Sequence, residues 1–148
     1  MPYKGLFTPN NPDKYRGDHT NIIYRSLWEK RFMRYCDENP NVLAWSSEEL
    51  SIPYLSPVDK KMHRYFPDFL VNYRNKRGQT ETRLIEIKPK NQTIPPKKKT
   101  TKRGKPTVSF LREASRYAIN DAKWKAAKEF CADRKWVFSI LTEDELGL

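Results

Sequence analysis

Apolar positions along the chain alternate between two spacings. In "NIIYRSLWEKRFMRYCDENP", Trp28, Phe32, Tyr35 and Cys36 recur on one stripe, which predicts a helix over about Tyr24 to Asp37. Ser26 or Thr20 can cap its start, and Asn39-Pro40 stops it. "NVLAWSSEELSIPYLSP" reads as one or two strands broken by a polar turn at Ser46-Ser47. A strand follows from about Phe66 to Tyr73, then a turn at "RNKRGQ" and a strand from about Thr82 to Lys88, which together form a β-hairpin. From about Leu111 to Lys135 the spacing is helical again. Ile119, Ala122, Ala126 and Phe130 form the apolar stripe, and Lys123, Lys125 and Lys128 are expected to look outward. Asn120-Asp121 offers a start for a second helix within that segment. "WVFSIL" reads as a last strand and "TEDELGL" as an acidic tail or short final turn. Residues 1–20, rich in Pro, Asn and Gly, read as an extended arm. Residues 89–110 hold four prolines, a dense run of lysine and arginine and no acid, and read as a basic loop. The order helix, strands, hairpin, helix, strand predicts one α/β domain over residues 1–148. Its mixed central sheet is flanked by helices, and its last strand runs parallel to a neighbour.

Two acids interrupt this pattern where a sheet should be apolar. Side chains alternate along a strand, so Leu84, Glu86 and Lys88 share one face while Arg83, Ile85 and Ile87 take the other. In the partner strand Phe69, Val71 and Tyr73 lie opposite Asp68, Leu70 and Asn72. Pairing through the turn near Arg77-Gly78 brings Asp68 to the end of the hairpin where Glu86 and Lys88 lie, and a slip of one residue would flip the faces. Two neighbouring carboxylates repel, and burial raises the cost. A hard cation such as Mg²⁺, with Mn²⁺ as a substitute, resolves this: it takes a few carboxylate oxygens and completes its shell with water and phosphate. Lys88 then holds the attacking water or offsets charge on the transition state. The competing reading is a structural Glu–Lys pair on a solvated strand face with an exposed Asp. Glu29, beside the Trp28/Phe32 stripe, is a third candidate acid, with pairing to Arg25 or Lys30 as its alternative.

Charge narrows the partner. The 148 residues carry 29 Lys and Arg against 18 Asp and Glu, a net +11, with the densest run at "KKKTTKRGK". A polyanion is the expected partner, and the lack of a helix pairing a basic with a strongly apolar face places DNA ahead of a membrane. Lys97, Lys98, Lys99, Lys102, Arg103 and Lys105 can track phosphates, as can Arg64, Arg74, Lys76 and Arg77; Lys90, just past the second hairpin strand, must lie near the site. Trp45 and Trp124 can stack on bases, although core packing suits them better. Cys36 and Cys131 read as reduced thiols in helices, His19 and His63 as ordinary polar residues, and the opening "MPYKGLFTPNNPDK" as free of a secretory signal.

Pro67-Asp68 followed by Glu86-Ile87-Lys88 resembles the PD-(D/E)XK signature of the restriction-endonuclease-like nucleases. "YRSLWEKRF", "RYFPDFLVNY" and "LIEIKPK" are similar to the endonuclease subunit of heteromeric transposases. The segment from Lys14 to Phe69, with "RLIEIKPK", is most similar to the head-completion nucleases of T4-type tailed phages. The resemblance implies a restriction-endonuclease-like core. Asp68, Glu86 and the backbone carbonyl of Ile87 would be metal ligands, with Glu29 a further candidate ligand or water-orienting acid, and Lys88 the catalytic lysine. The transposase subunit has Gln at the position aligned with Glu86, and Glu here matches the commoner form. The implied activity is Mg²⁺-dependent cleavage of DNA during head completion, in host cytoplasm or in the virion head or neck. Portal or neck proteins are the implied partners, with no membrane and no small-molecule cofactor. A catalytically silent head or neck protein and a subunit needing a transposase-type partner are the alternatives.

Overall fold

The computed structural model describes residues 4–147; residues 1–3 of the expected arm and residue 148 lie outside them. A four-stranded sheet forms the centre. In chain order its members are β3 (Val42–Ser47), β6 (Phe69–Arg74), β7 (Thr80–Ile87) and β8 (Val137–Leu141), which also stand side by side in that order. β3, β6 and β7 pair antiparallel and β8 joins β7 in parallel, so the sheet is mixed. Two two-stranded ribbons flank it: β1 (Gly5–Phe7) with β2 (Ile22–Tyr24), and β4 (Ile52–Leu55) with β5 (Met62–Tyr65). The helices are α1 (Leu27–Glu38), α2 (Val108–Arg134) and α3 (Glu143–Leu146).

Alternation along β6 and β7 divides the core in two. Phe69, Val71, Ile85 and Ile87 bury one face against Phe32, Met33 and Cys36 of α1. Leu70 and Leu84 turn to the other, where Trp124, Ala127 and Cys131 of α2 meet Ile52, Tyr54 and Tyr65 of the β4–β5 ribbon. The hairpin turn is set by its chemistry: Asn75 N–H donates to Gln79 O at 2.9 Å, and Gly78 supplies the positive φ of 75° that closes it.

Several expectations are corrected in detail. β3 runs through Ser46-Ser47 because Ser46 pairs with Leu70 and is buried; the break falls after it, where Glu48 adopts a φ of 52°. β5 carries no apolar alternation, so the pattern does not predict it. α2 is one 27-residue helix, since Asn120 is buried within it, and it starts at Val108 because Thr107 Oγ1 accepts from Phe110 N–H at 3.1 Å. α1 starts at Leu27 on the Ser26 cap, whose Oγ accepts from Glu29 N–H at 3.1 Å. The N-terminal segment is tied down: the Asp37 carboxylate accepts from Asn10 N–H at 2.8 Å and Asn11 N–H at 2.9 Å. The basic run folds on itself through a Thr100–Pro106 bridge, with Thr107 N–H donating to Lys99 O at 3.0 Å. Both cysteines are free and buried.

Candidate active site

Pro67, almost fully buried, ends the chain's approach to β6, and Glu48 N–H donates to the Asp68 carbonyl at 3.2 Å. The first paired residues of the hairpin are Phe69 and Ile85, so one step further in the same register sets Asp68 across from Glu86. Asp68 Oδ2 accepts from Ile87 N–H at 2.7 Å, which fastens its carboxylate to β7. Glu86 is only 5% exposed, and Tyr65 donates its hydroxyl to Oε2 at 2.6 Å. Burial, and then the neighbouring Glu86, push the Asp68 carboxyl well above the usual carboxylate range. The sheet therefore holds two acids together at a cost that only a ligand or a proton offsets.

Lys88 follows β7 directly, its N–H donating to Leu141 O at 3.0 Å. With Glu29 it lines an open cleft of about 500 Å³, shared with Ser26, Leu27, Trp28, Ile87, Pro89 and Gln92. Glu29 stands in the first turn of α1, where burial raises its carboxyl and Ser26 Oγ lies 3.4 Å from Oε2. Of the alternative partners, Arg25 pairs with Glu48 while its charge and backbone still act on Glu29, and Lys30 lies over the Tyr24 ring at 5.2 Å. Asp68 and Glu86 do not line this cleft. Among the described residues no three acidic, histidine or cysteine side chains stand together as a ready metal cage, although the charge of Glu29 acts on Asp68 and raises its carboxyl further.

Two residues at the centre were not legible as site residues. Tyr65 precedes Pro67 by two, but it reaches Glu86 only through the β4–β5 ribbon, whose second strand lacks a strand pattern. Lys123, expected to look outward, is half-buried instead. Burial lowers its ammonium, Glu86 and Asp68 draw it up, and Lys88 pushes it down. Its place beside Trp124 on the margin of the apolar stripe was the available signal. For Tyr65→Phe we expect a lower thermal midpoint and a loss of about 1–3 kcal/mol of stability, since Glu86 loses a buried partner. Thermal unfolding with and without Mg²⁺ checks this; a variant as stable as wild type would show that water replaces the hydroxyl.

The expected DNA contacts scatter. Lys90 pairs with Asp144 at 3.1 Å, and its N–H donates to Glu143 at 2.7 Å, so it is held by α3. Lys97 and Lys99 line a cavity of about 340 Å³ with Arg116 and Tyr117 of α2, and Lys99 lies 3.5 Å from Glu113. Lys98, Lys102, Arg103 and Lys105 are exposed along the folded loop. Arg64 is exposed on β5 across from Pro53. Arg74, Lys76 and Arg77 lie at the turn end of the β6–β7 hairpin, a strand's length from Asp68 and Glu86. Trp45 and Trp124 are core residues, 1% and 6% exposed, and offer no stacking face. No described helix is long and apolar enough to cross a membrane.

The donor set fits a hard divalent cation: two carboxylates on neighbouring strands, one with its carboxyl raised by burial and by the other's charge, near a cleft. Residues 39–143 match the family model described as TnsA-like endonuclease N terminal. The chain is also 42% identical over 146 residues to the head completion nuclease of Enterobacteria phage T4, an alignment covering 99% of this chain and 95% of that protein.

Proposed function

Because the chain belongs to the TnsA-like endonuclease family, we propose that it is a divalent-metal-dependent DNA endonuclease acting during phage head completion. The observation that carries this reading is Asp68 set across from Glu86, with Lys88 two residues further on beside an open cleft. Asp68, Glu86 and the Ile87 carbonyl would hold Mg²⁺ or Mn²⁺. Bound there, the metal would lower the pKa of water and offset negative charge on the phosphodiester. Lys88 projects from the strand that carries Glu86 and orients the attacking water or stabilises the pentavalent phosphorus centre. Glu29, which lines the same cleft as Lys88 and has its carboxyl raised by burial, would orient that water from α1. Tyr65 holds Glu86 in one orientation, and Ile87 N–H does the same for Asp68. The scattered basic residues suit recognition of DNA form or ends over sequence, since no described element presents a base-reading helix. The T4 relative's name supports a step at the completed head, where portal or neck proteins would be the partners.

The test is cleavage of linear, branched and supercoiled DNA by the purified chain in Mg²⁺, Mn²⁺ or EDTA. Cutting with either metal and none in EDTA is expected; folded, DNA-bound protein that cuts nothing would favour a silent structural protein or a nuclease awaiting its partner. The basic run carries part of the affinity. Replacing Lys97, Lys98, Lys102, Arg103 and Lys105 by glutamine is expected to lower the slope of log affinity against log salt by roughly 0.9 for each phosphate left without its cation. A slope unchanged in a salt titration would place the loop away from DNA.

A further inference from the structure

A second lysine approaches the carboxylate pair from the helix that covers it. α2 packs on the sheet face that carries Leu84, and alternation puts Glu86 and Lys88 on that same face. Midway along α2, Lys123 reaches over the β4–β5 ribbon, its Nζ 5.9 Å from the ring centroid of Tyr54 and 5.6 Å from that of Tyr65. Tyr65 is the residue whose hydroxyl holds Glu86. Lysines at Lys125 and Lys128 on the same helix are exposed, as expected of long charged side chains. Lys123 instead gives up rotamer freedom and part of its water to lie on two aromatic faces. Among the described residues its ammonium forms no ion pair, so a structural salt bridge does not explain its position.

Resting on the nuclease reading above, we propose that Lys123 is a phosphate-binding residue of the catalytic centre, a second cation that faces Asp68 and Glu86 from α2 and receives the DNA strand being cut. Tyr54 and Tyr65 form the platform that aims it. This role has an electrostatic signature that packing alone lacks. Lys123 and a divalent cation are drawn by the same two carboxylates and repel one another, whereas Lys123 and a phosphate attract. Removing the charge while keeping the volume therefore changes the two affinities in opposite directions.

The test compares wild type, Lys123→Met and Lys123→Arg in the full chain. Mn²⁺ binding is measured by calorimetry without DNA, and binding of a labelled DNA duplex by anisotropy in EDTA. Lys123→Met is expected to bind Mn²⁺ about fivefold more tightly and DNA about fivefold more weakly, with Lys123→Arg close to wild type for DNA. Weakening of both affinities with a lowered thermal midpoint would assign Lys123 to packing and overturn the proposal, as would no change in either. If wild type cuts DNA while Lys123→Met leaves both affinities unchanged, only this inference falls. A wild type that neither binds Mn²⁺ nor cuts overturns the nuclease reading and this inference with it.

Discussion

Asp68→Asn is expected to abolish cleavage and, in EDTA, to make the chain more stable at neutral pH. The two effects have one origin. Asp68 is held beside Glu86 by its bond from Ile87 N–H, and burial raises its carboxyl well above the unfolded value. Between those two values the folded chain binds more protons than the unfolded chain. Stability then falls as pH rises through that window, by up to about 1.4 kcal/mol per pH unit for one proton. A carboxylate with a raised folded pKa is thus a liability above the window and neutral below it. Asparagine keeps the shape, accepts from Ile87 N–H through its carbonyl oxygen and removes the charge. Thermal melts in EDTA from about pH 4 upward should show the downward slope in wild type and a flatter one in the variant. Adding Mn²⁺ should raise the wild-type midpoint at pH 7 and leave the variant's nearly unmoved. Cleavage by the variant should fall by roughly a thousandfold or more, since metal binding itself is lost. A wild type whose stability does not decline with pH in EDTA would mean that Asp68 and Glu86 are less coupled than their register implies.

The centre of this site was readable because hairpin physics is local. The turn residues Asn75 to Gly78 fix which residues of β6 and β7 face each other, and strict alternation then places Asp68, Glu86 and Lys88 without any distant contact. Parallel addition of β8 followed from the helix between it and β7. What was not readable depends on long-range packing. Tyr65 meets Glu86 because β5 pairs with β4 and the ribbon lies on the sheet, yet "MHRY" has no apolar face to announce a strand. Lys123 lies on the polar margin of an amphipathic helix, and a lysine there looks outward until two tyrosines from another element come beneath it. Asn120 suggested a helix start by propensity, but burial against neighbours overrode it. Glu29 shows both sides. The stripe placed it on the core-facing margin of α1, and the structure puts it on the cleft with Lys88, where its charge reaches Asp68 although the three acids form no ready metal cage.

Lys88→Ala should lose cleavage by about a hundred- to ten-thousandfold while binding Mn²⁺ and DNA nearly as wild type does. Its backbone is fixed by the bond to Leu141 O, which alanine keeps, and its side chain opens onto the cleft, so the fold should be unaffected. The expected loss lies in kcat with KM little changed, because the ammonium acts on charge that develops in the transition state and not on the bound duplex. Lys88→Arg should recover little, since a planar guanidinium cannot occupy the point position of an ammonium beside the reacting phosphate. This sets Lys88 against Lys123, whose arginine variant is expected to preserve DNA binding because contact with a phosphate tolerates the longer fork. Single-turnover cleavage with enzyme in excess, run over a range of enzyme concentrations, separates the cases: the Lys88 variants should stay slow at any enzyme concentration, and Lys123→Met should gain rate as enzyme is raised. If Lys88→Ala cuts as fast as wild type under those conditions, the water-activating group must come from elsewhere, and Glu29, across the same cleft, becomes the residue to replace next.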